Sequence, residues 1–199
     1  LALNAMMDDF QLPHCQDEQI KTWVGNGIPK MVERALVHVG KVDFDSVFFD
    51  HAVSLFEKYY ALFINSVSGL YEGVAETLSV LKSRGYKIAL ITNKGENFLP
   101  PLLSYFTILD YFDLLLGGDT LSKNKPDPMQ VEFACDKFQV TKAQTVMVGD
   151  SRNDILAGQN ANVQTIALTY GYNYGESIAN CDPDFCFDTF SELTQALSA

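Results

Sequence analysis

The sequence lacks long apolar runs, paired cysteines and an excess of positive charge. No apolar run in its 199 residues is long enough to span a bilayer, and residues 1–7 have neither the basic region nor the cleavage site of a signal peptide. The four cysteines show neither Cys-x-x-Cys spacing nor a nearby histidine cluster, which predicts reduced thiols in a cytoplasmic protein. A net charge of −11 disfavours nucleic acid and acidic lipid as partners.

The chain divides by pattern into a helical part and an alternating part. Residues 1–66 carry apolar side chains at helical spacing and no strand pattern, which predicts a small bundle of four helices. From Tyr71 onward, short apolar runs alternate with amphipathic segments, as in an α/β protein with a doubly wound parallel sheet. We therefore predict a helical domain over residues 1–68 and a sheet domain over residues 69–199.

Residues 146–154 (VMVGDSRND) hold the strongest chemical signal. An apolar strand runs up to Gly149, and Asp150 and Asp154 follow at the start of a predicted helix. In open α/β sheets, ligands bind at the carboxyl edge, where Asp150 would lie. Two carboxylates there suit Mg²⁺, which keeps water-filled positions for a phosphate. The alternative is a helix cap in which Asp150 accepts backbone N–H bonds and Asp154 is solvated.

Two further segments carry groups suited to phosphate. Thr92 and Asn93 end another apolar strand, so that hydroxyl, amide and nearby backbone N–H groups can donate to phosphate oxygens. Lys125 precedes Pro126, which disfavours helical backbone at the lysine and so fixes its direction. Considered separately, a Thr-Asn pair such as Thr92 and Asn93 is more often a simple turn, and a lysine such as Lys125 is more often solvated. Together with the two aspartates they provide the cationic parts of a phosphoryl-transfer site, but no nucleophile.

These segments resemble three motifs of the haloacid dehalogenase-like hydrolases, in that family's order. Residues 91–94 (ITNK) look like the second motif, with Thr92 as the phosphate-binding hydroxyl, and residues 125–128 (KPDP) look like the third, with Lys125 steadying nucleophile and phosphate. Residues 148–154 (VGDSRND) are similar to the fourth, in which Asp150 would ligate Mg²⁺. There Asp154 would hold Lys125 or metal-bound waters. The resemblance covers essentially the whole chain.

Four other segments resemble the phosphoglycolate phosphatases within that family: residues 23–27 (WVGNG), 32–36 (VERAL), 71–74 (YEGV) and 171–175 (GYNYG). The resemblance implies that the helical domain is a cap that closes over the sheet edge. Asn26, Gly27 and either Lys30 or Arg34 would then face the substrate. We expect Arg34 to be solvated on its helix, and we expect Trp23 to lie in the core of the cap.

The sequence departs from the family in one place. Such enzymes begin with an apolar strand ending in Asp-x-Asp-Gly-Thr, whose two aspartates are the nucleophile and the acid/base. That strand, its loop and the start of the next helix amount to about 20 residues at typical element lengths, and we expect them to precede residue 1. Residue 1 is not methionine. Residues 43–45 (DFD) have no apolar strand before them, and residues 182–184 (DPD) precede a strand. We therefore expect the natural protein to be longer, with a strand between those ending at Thr92 and Asp150.

The function expected from the resemblance is Mg²⁺-dependent hydrolysis of 2-phosphoglycolate through an aspartyl-phosphate, with little or no activity in the 199-residue form. A related sugar-phosphate phosphatase, phosphomutase or pyrophosphatase is one alternative. A non-catalytic module that binds phosphate is another. A dinucleotide-binding protein is disfavoured because no Gly-x-Gly-x-x-Gly follows a strand.

Overall fold

The computed structural model describes residues 1–67, 69–171, 173 and 175–197. The chain forms two units, Leu1–Ser68 and Gly69–Ala199. Within the described residues, no helix has the length and apolar character needed to cross a membrane.

The described residues of the first unit form four helices, at the positions that the apolar periodicity predicts. They are α1 (Ala2–Asp9), α2 (Asp17–Lys21), α3 (Ile28–His38) and α4 (Ser46–Val67). Helix α3 follows Gly27, whose φ of 84° suits glycine, and has Pro29 in its first turn, where a missing N–H is harmless. Helix α2 begins at Asp17, and its cap position is Gln16.

The core of the first unit is apolar and buried. Burial of such side chains is the main favourable term in folding, at roughly 25 cal/mol per Å² of apolar surface. Trp23, expected as core, is buried in it. The largest fully buried side chains of the helices around it are Met6, Met7, Val32 and Leu36.

The second unit alternates strands and helices, as the sequence predicts for an α/β protein. Its strands are β1 (Ala89–Ile91), β2 (Leu114–Leu116), β3 (Val146–Gly149), β4 (Gln164–Leu168) and β5 (Phe185–Phe187). Its α-helices are α5 (Val74–Ser83), α6 (Leu99–Tyr105), α7 (Met129–Phe138), α8 (Arg152–Asn160) and α9 (Leu193–Ala196).

The strand pairs among the described residues of the second unit are all parallel. Strand β1 pairs with β2, with Ile91 opposite Leu116, while β3, β4 and β5 form a second ladder in which Gly149 lies opposite Ala167. Among the described residues β1 and β3 are not hydrogen-bonded to each other. The expectation of a further strand between them stays a prediction.

Helices pack on both ladders and fix their positions. Leu78 of α5 and Leu99 and Leu103 of α6 form one buried cluster, against which Leu90 of β1 and Leu115 of β2 pack. A second cluster joins α7 and α8 to β3 and to the partly buried Ile91 of β1; its buried members are Val131, Cys135, Met147, Ala157, Ala161 and Val163. Through α7, this second cluster links the carboxyl end of β1 to the ladder that contains β3.

Candidate active site

Lys125 connects the groups that follow β1 to those that follow β3. Its Nζ donates to the carbonyl oxygen of Ile91 at 2.7 Å and lies 2.5 Å from Asp154 Oδ1. Only 10% of the lysine side chain and 8% of the aspartate side chain are exposed. Because a buried charge is costly unless paired and hydrogen-bonded, this geometry holds the ammonium at one point of the sheet edge. A freely solvated Lys125 is therefore excluded.

The segment around Lys125 is held at both ends by side-chain amides. Asn93 Nδ2 donates to the carbonyl oxygen of Lys125 at 2.9 Å, and Asn160 Nδ2 donates to that of Pro126 at 3.0 Å. The Lys125–Pro126 peptide is cis, and Met129 N donates to Asp127 Oδ1 at the start of α7. The lysine is thus positioned by backbone contacts to two different elements.

Asp154 organises the turn between β3 and α8. Its Oδ2 accepts hydrogen bonds from the backbone N–H groups of Asp150 at 3.2 Å and Ser151 at 3.0 Å, and Ser151 is the N-cap of α8 in a capping box with Asp154. A Cβ on Gly149 would lie 2.1 Å from Asp154 Cβ, so the close approach requires glycine there. Both Asp154 oxygens are therefore engaged, one by Lys125 and one by the backbone.

Asp150 presents the other carboxylate. Burial raises the pKa of Asp150, and the charge of Asp154 adds to this effect, while Lys125 acts in the opposite direction. Ser151, not Asp150, caps the helix, so the alternative in which Asp150 is the cap does not apply. A desolvated carboxylate beside a second negative charge is stabilised by a cation.

The carboxylates of Asp150 and Asp154 suit a Mg²⁺ ion whose other coordination positions are filled by water and phosphate oxygens. Mg²⁺ in proteins commonly takes one or two carboxylates, several waters and phosphate oxygens. The described residues contain no group of three or more His, Cys, Asp or Glu side chains placed to hold a metal. Asp150 is the carboxylate suited to direct contact, because Asp154 already accepts three hydrogen bonds.

Thr92 and Asn93 lie at the carboxyl end of β1, as predicted. Thr92 N donates to Leu116 O at 2.9 Å and so continues the ladder, while its Oγ1 accepts from Lys94 N at 3.2 Å. The hydroxyl proton is therefore the group that Thr92 offers to an anion. The amide of Asn93 is used, at least in part, to hold Lys125.

Asn26 and Gly27 belong to the first unit. Asn26 Oδ1 accepts from Arg34 Nη1 at 3.0 Å, and Gly27 precedes α3. Lys30 forms an ion pair with Glu33. Thr92, Asn93, Lys125, Asp150 and Asp154 all lie in the second unit.

Four residues of the site were given no individual role by sequence reasoning. Burial lowers the pKa of Lys94 to about 8. Burial, followed by the charge of Asp150 and the neighbouring Tyr71, raises the pKa of Tyr170 to about 12. Gly171 and Asn173 contact the start of α8. For Gly171 and Asn173 the sequence signals are the resemblance of residues 171–175 to the phosphoglycolate phosphatases and a Gly-x-Asn in the loop after a buried strand, which by itself predicts only a turn.

The comparisons with known proteins agree on one family. Residues 1–168 match the sequence model of the family described as haloacid dehalogenase-like hydrolase. The phosphoglycolate phosphatase of Colwellia psychrerythraea is 41% identical over 199 residues, which cover 99% of this chain and 88% of that protein. The phosphoglycolate phosphatase of Psychrobacter arcticus is 42% identical, over 98% of this chain and 86% of its own.

Solved structures give the same result. A predicted phosphoglycolate phosphatase from Haemophilus somnus 129pt superposes with a TM-score of 0.91 at 35% identity, covering 98% of this chain and 88% of that one. CbbY from Rhodobacter sphaeroides, solved in complex with phosphate, superposes with a TM-score of 0.81 at 20% identity, covering 96% and 87%. The second likeness concerns the fold alone.

Proposed function

The chain belongs to the haloacid dehalogenase-like hydrolases and is a phosphatase, and we propose that it hydrolyses 2-phosphoglycolate to glycolate and phosphate with Mg²⁺ as cofactor. The relatives named phosphoglycolate phosphatase match nearly the whole chain at about 40% identity, which supports this substrate over other phosphate esters. We also propose a cytoplasmic location, because all four cysteines are free.

The observation that carries the proposal is the contact of Lys125 with both Ile91 and Asp154. It brings one buried cation to the point where the hydroxyl of Thr92 and the carboxylate of Asp150 lie at the ends of two parallel ladders. Phosphoryl transfer depends mainly on such positioning and on positive charge around the phosphate. A purely structural ion pair does not need a hydroxyl and a second, desolvated carboxylate beside it.

The roles follow from the hydrogen bonds. Thr92 donates its hydroxyl proton to a phosphate oxygen, and Asn93 orients Lys125, whose ammonium neutralises charge on the phosphate. Asp150 holds Mg²⁺, and Asp154 fixes Lys125 and the turn before α8; direct contact of Asp154 with the metal stays a prediction. When bound, Mg²⁺ supplies positive charge to the non-bridging phosphate oxygens.

The nucleophile is the part that these 199 residues do not supply. No Asp-x-Asp follows an apolar strand in the sequence, and the proposed aspartyl-phosphate needs such an aspartate. We therefore expect no turnover by the 199-residue chain alone. Asn26 and Gly27 are proposed to contact the substrate from the cap, the role that we give to the first unit.

The test is phosphate release from 2-phosphoglycolate with and without Mg²⁺. We would compare the 199-residue chain with a form extended at its N-terminus by a strand ending in Asp-x-Asp-Gly-Thr, and include a sugar phosphate and pyrophosphate as competing substrates. Turnover of 2-phosphoglycolate by the extended form alone is the expected result. Equal activity of both forms would overturn the assignment of the nucleophile, and preference for another ester would overturn the substrate.

A non-catalytic phosphate-binding module is the second candidate, because Lys125, Thr92 and Asp150 can hold phosphate and Mg²⁺ whether or not a nucleophile is present. It predicts that the extended form also fails to turn over any ester while inorganic phosphate still binds. Replacement of Thr92 by Val should weaken that binding under either function, so turnover by the extended form distinguishes the two.

A further inference from the structure

The loop that follows β4 packs on the turn that carries Asp150. Residues 169–177 connect β4 to the short helical turn Ile178–Cys181. Among the described ones, Gly171 packs against Asp150 and Asn173 is hydrogen-bonded to Arg152, the first residue of α8. The β4–β5 pairing ends at Leu168, and one further hydrogen bond, from Thr169 N to Phe187 O at 3.1 Å, continues it. The contacts of Tyr170, Gly171 and Asn173 lie beyond this ladder.

Asn173 ties the loop to the first residue of α8. Its side chain is buried at 8% exposure, and its Oδ1 accepts from Arg152 N at 2.7 Å. Its Nδ2 donates to Glu176 O at 3.1 Å, and Glu176 N donates back to Asn173 O at 2.9 Å. The amide N–H of Arg152 is one of the donors that a helix start leaves without a partner inside the helix. Asn173 satisfies it from 21 positions away and so ties the loop to the start of the helix.

Gly171 lies directly against the carboxyl group of Asp150. A Cβ at position 171 would come within 2.2 Å of both Asp150 Cβ and Asp150 Oδ2. Its backbone is thus one wall of the space that the carboxylate occupies. The next residue back, Tyr170, packs its ring on that of Tyr71 with centroids 4.3 Å apart, which holds this wall from the other side.

We propose that Gly171 and Asn173 are positioning residues that set the direction of the Asp150 carboxylate for metal binding, Gly171 by contact and Asn173 by fixing the loop to α8. The inference rests on the proposed role of Asp150 as the Mg²⁺ ligand. Outer contacts of this kind commonly change metal affinity by 10- to 100-fold, because they fix the orientation of the ligand group.

The test is direct binding of Mn²⁺ as the probe, followed by electron paramagnetic resonance and competed with Mg²⁺, on the 199-residue chain. Asn173→Ala removes the acceptor for Arg152 and should raise the dissociation constant about 10-fold. Asn173→Asp keeps that acceptor and should restore most of the affinity. Gly171→Ala should weaken binding at least as much, since the added methyl group overlaps the carboxylate.

The matched control is Gln159→Ala. Gln159 Nε2 donates to the carbonyl oxygens of Cys181 and Asp182, so it ties a loop to the far end of the same helix. Its loss should lower the thermal unfolding midpoint about as much as Asn173→Ala while leaving Mn²⁺ affinity unchanged. If both variants weaken Mn²⁺ binding equally, Asn173 acts through stability alone and the inference is wrong.

Asp150→Asn separates this inference from the function on which it rests. Loss of Mn²⁺ binding in Asp150→Asn, with unchanged binding in Gly171→Ala and Asn173→Ala, would overturn the positioning role and leave the proposed metal site standing. Unchanged binding in Asp150→Asn would overturn the metal site itself. Should Gly171→Ala fail to fold, the Asn173 pair of variants still decides.

Discussion

Asp154 Oδ1 lies 2.5 Å from Lys125 Nζ, and the two side chains come from segments 29 positions apart that follow different ladders of the second unit. The pair is nearly buried, and the same ammonium also contacts Ile91 O. One interaction therefore joins the end of β1, the segment before α7 and the start of α8. The atoms that we propose to act on phosphate are therefore also the atoms that hold these elements together.

Replacing Lys125 by Met should lower the free energy of unfolding by about 3–5 kcal/mol, because it leaves Asp154 as a buried charge without its partner. The measurement is urea denaturation. Lys142→Met is the control: Lys142 pairs with Glu132 at 3.1 Å, but about half of each side chain is exposed, and such pairs contribute about 0–1 kcal/mol. Equal losses in the two variants would contradict the structural role given to Lys125.

Gly149→Ala should displace Asp154, because the new Cβ would lie 2.1 Å from Asp154 Cβ and 2.6 Å from its Oδ2. Overpacking of this kind costs about 1–3 kcal/mol of stability, and phosphate binding should fall because Lys125 loses its fixed partner. Gly69→Ala serves as control, since nothing lies within 4 Å of a Cβ there, and a change within about 0.5 kcal/mol is expected. An unchanged unfolding midpoint for Gly149→Ala would contradict the close packing of Gly149 against Asp154.

Apolar periodicity and turn residues were enough to predict the helices and parallel strands of the fold, but they placed some ends incorrectly. Residues 87–91 (KIALI) and 112–116 (FDLLL) are predicted to be strands over their whole length, but the strands begin at Ala89 and Leu114. The physical reason is Asp113, whose Oδ2 accepts from Ile88 N at 3.0 Å in place of a backbone partner. A side chain that replaces a ladder bond leaves no periodic signal.

The candidate site was predictable where chemistry follows a strand, and not where it depends on distant contacts. Asp150 and Thr92 directly follow β3 and β1, so the rule that ligands bind at carboxyl ends of parallel strands finds them. Asn173 meets Arg152 only because the loop after β4 folds back. The local sequence does not show that this loop folds back onto α8. It likewise does not show that Lys94 is buried, which is what lowers the pKa of that lysine.

The pH dependence of stability should carry the signature of Asp150. Its pKa is raised, by burial first and then by Asp154, so the folded protein binds its proton more tightly than the unfolded chain. Stability is therefore lost as pH rises from the ordinary value of 3.8 through the raised pKa. Without metal, Asp150→Asn should be more stable than the natural chain at about pH 7 and equal to it at about pH 3, below both pKa values.

Two comparisons make the Asp150 prediction specific. Asp184 has a lowered pKa because Thr165 donates to it from its backbone and hydroxyl, so Asp184→Asn should change stability in the opposite direction at neutral pH. Added Mg²⁺ should stabilise the natural chain and not Asp150→Asn, since a ligand stabilises only the state that binds it. A less stable Asp150→Asn variant at neutral pH would contradict the assignment.

Lys94 should titrate near pH 8, because burial lowers its pKa to about 8 from 10.5. Its backbone N–H reaches the Thr92 hydroxyl at 3.2 Å, so the residue lies at the proposed phosphate site. An anion bound there favours the charged ammonium and should move the titration midpoint upward.

The measurement is nuclear magnetic resonance of ¹³C-dimethylated lysines with and without inorganic phosphate, with Lys94→Arg to identify the resonance. A midpoint near 10.5, or one that phosphate leaves unmoved in the natural chain and in Thr92→Val alike, would place Lys94 outside the site. A shift that Thr92→Val abolishes would show that the lysine and the hydroxyl respond to the same phosphate.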